Sequence, residues 1–250
     1  LPLIIGVTTG PAGAVAAMVI LPFTKAQLTL MAIFILICHS LPQETAIQAK
    51  SGFHPLKAVC CRLTAAFLTV AGVAFFLDTS SSGQLAAAGP AAAWVRPPLG
   101  EVLLTWLMEV GRLAVILLVL ITVFMTILEV FRVRGWINPV VRFLSPLLRA
   151  LGLNPKVGLL WVAAAVFGLA YGAGVLVEEA KSGRLDPKDL EALHLSVGIN
   201  HGLLDDPALF LSLGLNAFWI YVPRLIMAVL AVRLLTLWRT VRKRRALGRA

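Results

Sequence analysis

Two histidines, two carboxylates and two arginines hold equivalent places in two stretches of this chain. His39 opens HSLPQETAIQAKSG and His201 opens HGLLDDPALFLSLG. Aligned without a gap, His39 matches His201, Glu44 matches Asp206 and Gly52 matches Gly214. The same offset pairs Gly6 with Gly168, Gly10 with Gly172, Thr24 with Asp186 and Arg62 with Arg224. Ser40, Gln43, Asn200 and Asp205 add further polar atoms beside the histidines. If the two stretches meet, imidazole and carboxylate converge, a set able to bind a cation, to take up and release protons, or to hold a polar solute. Histidine is its pH-sensitive member. A plainer assignment stands beside this one: each His caps the half-helix before it, and the acids satisfy free N–H groups at the start of the next. Arg62 and Arg224 are read as counter-ions for Glu44 and Asp206, or for an anionic solute, with snorkelling to the interface as the alternative.

The elements that must position these groups belong to a membrane protein. Of 250 residues, 59% are hydrophobic and 14% charged, with mean hydropathy +0.91, whereas soluble domains carry about 25% charged residues. The net charge of +10 is concentrated at the C-terminal end, in Arg239, Arg242, Lys243, Arg244, Arg245 and Arg249. A basic tail after an apolar span is a cytoplasmic-side signal; no groove-reading motif accompanies it, which argues against nucleic acid. Cys38, Cys60 and Cys61 lie in apolar stretches without a CxxC and are assigned to packing.

In chain order, residues 1–22 are apolar and interrupted by Gly6, Gly10-Pro11 and Gly13. Gly6 and Gly10 form a GxxxG pair suited to close helix approach, and Gly10-Pro11 can instead break the helix. Thr24 caps a helix to about Ile37, too short to cross a ~30 Å hydrocarbon core. A second short helix follows the break at Cys38–Ser40 and runs to Gly52, so a re-entrant hairpin is predicted here. Leu56 to Leu77 is long enough to span. Residues 78–100 form a Ser/Gly/Ala/Pro-rich linker. Residues 101–130 read as a long helix with Glu109 and Arg112 one turn apart and Glu129 paired with Arg132. Between Arg132 and Lys156, basic residues alternate with Phe143, Leu147, Leu148 and Leu151, which predicts an interfacial helix. Val157 to Val177 is predicted to span. Asp186-Pro187 starts a helix that breaks at Asn200-His201-Gly202, a second hairpin to Gly214, before a span from Asn216 to Trp238. Glu178, Glu179, Asn154 and Lys156 are assigned to solvated edges and loops, and no function is given to His54 or His194.

With the basic tail and the 132–156 loop inside, the linker falls outside and the two copies run antiparallel across the membrane. The expected fold is therefore all-α: a polytopic membrane protein of inverted repeats, each with a re-entrant helical hairpin and a following transmembrane helix. The expected organisation is a first repeat at 1–77, an extracytoplasmic linker at 78–100, a second repeat at 101–238 and a basic cytoplasmic tail at 239–250. A segment equivalent to residues 101–162 is expected upstream of Leu1.

The paired His-led segments, GLAYGAG, and the Gly152–Pro155 turn after Pro146 resemble the Gate, or nucleoside-recognition, membrane domain. Relatives of that domain include the spore maturation proteins A and B and the membrane part of the ferrous iron transporter B. The resemblance implies a multi-pass, transporter-like protein without fixing its solute. The Asn-Glu-Phe motif of concentrative nucleoside transporters is absent, as is a GTP-binding P-loop.

The function expected is transport of a small polar or charged solute or cation between two hairpin tips formed by His39, Ser40, Gln43, Glu44, Asn200, His201, Asp205 and Asp206. The alternative is a non-transporting membrane scaffold or assembly subunit acting with a partner membrane protein. Expected partners are the lipid bilayer, the solute, and a second copy or a related membrane subunit, in the cell inner membrane with the C-terminus cytoplasmic. No cofactor is expected, and no metal site, since the ligands lack tight spacing and nothing in the sequence fixes their geometry. No nucleophile–base pair with an orienting group is present, so an enzyme is not expected.

Overall fold

The helix that ends at His39 begins with a reciprocal cap. Thr24 accepts from the Gln27 amide at 3.2 Å, and the Gln27 side chain accepts from the Thr24 amide at 3.1 Å, satisfying two N–H groups that the first turn leaves open. The equivalent Asp186 accepts from the Lys188 amide at 2.7 Å ahead of Pro187, whose fixed φ suits the first helical position.

A computed structural model describes residues 1–78, 133–183 and 185–247, with residues 98–132 in part. Its described residues are all-helical, with no strand. The helices are α1 (Pro2–Thr9), α2 (Pro11–Ile20), α3 (Lys25–Cys38), α4 (Leu41–Lys50) and α5 (Pro55–Ala74). The residues described between 99 and 133 are helical and constitute α6. Then come α7 (Ile137–Ala150), a 3-10 turn at Pro155–Val157, α8 (Gly158–Phe167), α9 (Leu169–Lys181), α10 (Pro187–Ile199), α11 (Asp205–Leu211) and α12 (Ala217–Leu247). They fall into two compact units, one within Leu1–Ala87 and Val141–Ala250, the other within Ala88–Val140. The expected Glu109–Arg112 and Glu129–Arg132 pairs, and most of the 78–100 linker, lie outside the described residues.

Among the described residues three segments are long and apolar enough to cross a membrane: Lys25–Lys50, Pro55–Ala74 and Ala217–Arg245. The 20 residues of α5 reach ~30 Å at 1.5 Å each, the thickness of a hydrocarbon core. The outer faces of α5 and α12 are apolar: Phe67 and Leu68 on one, Leu230, Leu234 and Leu237 on the other, are all exposed. Such a continuous apolar surface would drive association in water and is at home against acyl chains. The interior is built on α3 and α10. Ile33, Leu36 and Ile37 of the first, and Leu193, Val197 and Ile199 of the second, have no exposed surface.

Two sequence expectations are corrected by the helix packing. The chain folds back on itself at Gly10, not within 24–52. Gly10 has φ 121°, and α1 and α2 pack along each other so closely that a Cβ on Gly6 would stand 3.1 Å from Ala14 Cβ, and one on Gly13 would stand 2.8 Å from Ile5. The predicted span 157–177 is likewise interrupted at Gly168, φ 88°, where α8 and α9 fold back. A Cβ on Gly172 would lie 3.2 Å from the Ala164 backbone. A residue with a Cβ is rare at such φ values, so these glycines set the turns. Conversely, α3 and α4 do not pack along each other, nor do α10 and α11. Instead α4 rests on α5 and α9, and α11 on α2 and α12. Each His-led segment is thus the middle of an interrupted helix rather than the tip of a hairpin.

Candidate functional site

The interruptions place their own backbone groups against the two turns. At the first, Ser40 takes up φ 45°, and its amide donates to the Gly6 carbonyl at 3.1 Å. At the second, the Leu203 amide donates to the Ala165 carbonyl at 2.9 Å. Polar backbone freed by a broken helix must find a partner away from water, and here the helical turns supply it.

The carbonyls of the interruptions are taken by the two arginines. Arg62 Nε donates to the Ile37 carbonyl at 2.7 Å and Nη2 to the His39 carbonyl at 3.0 Å. Arg224 Nη2 donates to the His201 carbonyl at 2.7 Å. In each copy the arginine reaches the histidine 23 residues before it. Both arginines are buried, at 1% and 0% exposed, so neither snorkels.

His39 and His201 face each other, 162 residues apart, with ring centroids 4.7 Å apart and Nε2 atoms 3.2 Å apart. Each ring is held by its other nitrogen. His39 Nδ1 lies 3.2 Å from the Ile35 carbonyl and His201 Nδ1 lies 2.7 Å from the Val197 carbonyl. A carbonyl only accepts, so each Nδ1 is the protonated nitrogen and each Nε2 points inward. Glu44 Oε1 lies 2.9 Å from His201 Nε2 and 3.3 Å from His39 Nε2, and Oε2 pairs with Arg62 Nη1 at 2.5 Å. Asp206 Oδ2 lies 3.1 Å from His39 Nε2. His39, Glu44 and His201 offer ligand atoms that all lie within 4.8 Å of one another, a geometry that the sequence spacing alone does not contain.

The cluster opens on a cavity of about 270 Å³, lined on one side by Thr9, Gly10, Pro11, Ala12, Gly168 and Leu169 and on the other by the interrupted helices. Of the eight predicted site residues, His39, Ser40, Gln43, Glu44, His201, Asp205 and Asp206 line it. Asn200 does not; it is buried, and among the described residues its side-chain oxygen has no partner.

The predicted charge pairs divide. Arg62 meets Glu44. Among the described residues Arg224 makes no ion pair with Asp206, which turns to His39, and its Nε and Nη1 are buried without a hydrogen-bond partner. The two copies therefore share the arginine bond to the histidine carbonyl and differ in the rest of the arginine's partners.

The chain is similar to a bacterial membrane protein. It is 26% identical over 234 residues to the uncharacterized membrane protein YvoD of Bacillus subtilis (strain 168), an alignment that takes in 92% of this chain and 74% of that protein. No family model matches the chain, and no solved structure matches it. Together with the three apolar segments, this likeness makes the chain a membrane protein, in contact with the lipid bilayer.

Sequence reasoning missed the glycine turns at Gly10 and Gly168 as walls of the cavity. The signal was present in the Gly10-Pro11 dipeptide and in the pairing of Gly6 with Gly168, both consistent with close packing in a straight span as well. It also missed Gln48, whose Nε2 donates to the His194 carbonyl at 2.9 Å and ties α4 to α10.

Proposed function

We propose that the chain is a transporter-like permease, not an enzyme, that carries a small polar or charged solute through the cavity at His39 and His201. The observation that supports this reading best is the burial of Arg62, Arg224, Glu44 and both histidines around a cavity flanked by two glycine turns. Ionisable groups at membrane depth cost ~2.5–3.5 kcal/mol each on insertion scales, and mark solute or ion pathways. The constant offset between the copies, repeated in the arginine–histidine bonds, fits inverted repeats with the site where they meet.

In this reading the turns at Gly10 and Gly168 are the tips of re-entrant hairpins, α1–α2 and α8–α9. The interrupted helices α3–α4 and α10–α11 then cross the bilayer. Exchanging which element returns and which crosses leaves the parity unchanged, so the basic C-terminal tail stays cytoplasmic, in the inner membrane, and the segment after α5 lies outside. The two copies, taken as repeats at 1–77 and 101–238, rock about the shared site. The Gate-type resemblance fits this architecture.

Alternating access can be tested without knowing the solute. Gln43 is exposed in the cavity. A Gln43→Cys variant lacking Cys38, Cys60 and Cys61 is placed in oriented vesicles and treated with a membrane-impermeant maleimide from either face. A transporter is labelled from both faces. Labelling from one face only, or from neither, points to a fixed scaffold acting beside a partner membrane protein and defeats the transport reading.

A further inference from the structure

We infer that His39, Glu44 and His201 form a binding site for a divalent first-row transition-metal ion, with an open coordination position facing the cavity. The inference deepens the transport reading by naming the ion class that the same site takes, but the site can exist whether or not the ion is carried.

With Nδ1 of each ring committed to a backbone carbonyl, the neutral form of His39 and of His201 presents Nε2 as a lone pair, whereas the imidazolium carries a proton there. These two nitrogens lie 3.2 Å apart. Glu44 Oε1, also an acceptor, lies 2.9 Å from one and 3.3 Å from the other. Two imidazole nitrogens and a carboxylate oxygen are thus drawn into one triangle, three ligand atoms when both rings are neutral. With both rings neutral, a cation at the centre of such a triangle would satisfy all three atoms at once.

The dimensions suit a metal ion. Around tetrahedral Zn²⁺, ligand atoms at ~2.0–2.2 Å from the metal stand roughly 3.3–3.6 Å from one another. The three sides of the triangle match that to within a few tenths of an ångström. Two imidazoles and one carboxylate are a ligand set suited to Zn²⁺, Co²⁺, Ni²⁺ or Fe²⁺ rather than to Ca²⁺ or Mg²⁺, which prefer all-oxygen shells.

The surroundings are those of a built site. The carbonyls of Ile35 and Val197 fix both ring orientations, the outer support that metal-ligating histidines need. Arg62 occupies Glu44 Oε2 and leaves Oε1 to the ion. All three ligands are buried, yet they line the 270 Å³ cavity, so a fourth ligand enters from that side. Asp206 Oδ2, 3.1 Å from His39 Nε2, stands at the mouth. Three protein ligands with one open position are the arrangement of a site that exchanges its ligand or its metal, not of a closed structural one.

The test is titration of the purified full chain in detergent with Co²⁺ alone, read by visible d–d absorption, and with Zn²⁺ alone, read by thermal unfolding. One equivalent of Co²⁺ with an intense tetrahedral spectrum, displaced by Zn²⁺, is expected. His39→Gln, His201→Gln and Glu44→Gln each lower the affinity by roughly 100-fold or more, since loss of even an outer-shell partner costs 10–100-fold, while His54→Gln leaves it unchanged. Should those variants fail to fold, His39→Cys keeps a ligand and adds a sulfur-to-cobalt charge-transfer band. Absence of a tetrahedral spectrum in the wild-type chain overturns the inference and leaves a shared proton as the joining charge. Persistence of that spectrum in foldable His39→Gln and His201→Gln variants overturns it too. A bound metal with Gln43→Cys labelled from one face sinks transport alone; two-face labelling without metal sinks the metal site alone.

Discussion

Arg62 closes on Glu44 at 2.5 Å while its Nε and Nη2 hold the carbonyls of Ile37 and His39. One guanidinium therefore neutralises the buried carboxylate and repairs the end of the interrupted helix. Breaking a buried pair by removing one partner leaves the other charge uncompensated, at a cost of ~3–5 kcal/mol. Arg62→Met is expected to destabilise the chain by about that much in denaturant titration in mixed micelles. Adding Glu44→Leu is expected to recover part of the loss. A double variant no more stable than Arg62→Met would show that the pairing is not what Arg62 supplies.

Arg224 is expected to matter less. Among the described residues it makes one charge-assisted bond, to the His201 carbonyl, and its Nε and Nη1 are buried without partners. A hydrogen bond to a charged group contributes ~1.5–3 kcal/mol, and Arg224→Met removes the unpartnered donors at the same time. The loss on unfolding should be at most about half of that for Arg62→Met. Equal losses in the same assay would mean that Arg224 has a charged partner in the membrane-embedded protein.

The glycine turns give a graded series. Gly168→Ala and Gly10→Ala put a Cβ on backbones at φ 88° and 121°, and backbone strain of this kind costs ~1–3 kcal/mol. Gly172→Ala has no such strain, but its Cβ meets the Ala164 backbone at 3.2 Å, so the packed arms must part. Gly174→Ala meets nothing within 4 Å and is expected to be neutral or slightly stabilising, as Ala suits a helix interior better than Gly. Thermal unfolding in detergent should rank Gly168→Ala below Gly174→Ala; the reverse order would refute the turn at Gly168.

The duplication was legible because its shared residues are chemically unusual in an apolar chain. His39 with His201 and Arg62 with Arg224 stand out, and so did the caps at Thr24 and Asp186. The place where the chain turns back was not legible. An apolar stretch with small residues, such as 1–22, reads equally as a straight span with a GxxxG face. Gly10 turns it only because Gly6 and Gly13 then let α1 and α2 nest. Nor could spacing tell that Asp206 would turn to His39 and leave Arg224, since an aspartate is one methylene shorter than the Glu44 it matches and reaches a different neighbour.

Glu191 joins three helices, pairing with Lys57 of α5 at 3.1 Å and with Arg239 of α12. Lys57 is 62% exposed at its side chain, so water and salt weaken the pairing. Partly exposed pairs are worth ~0.2–1 kcal/mol, and Glu191→Gln should cost no more than that. The loss should shrink as salt is raised from about 0.05 M to about 0.5 M, as the screening length falls. A salt-independent loss would instead assign Glu191 to packing.

For α3 to continue unbroken into α4, the Ile37 and His39 carbonyls would have to give up the Arg62 guanidinium, and that buried cation would keep Glu44 but lose both of its backbone partners. The gap in the helix is consequently held by the same buried cation that neutralises Glu44.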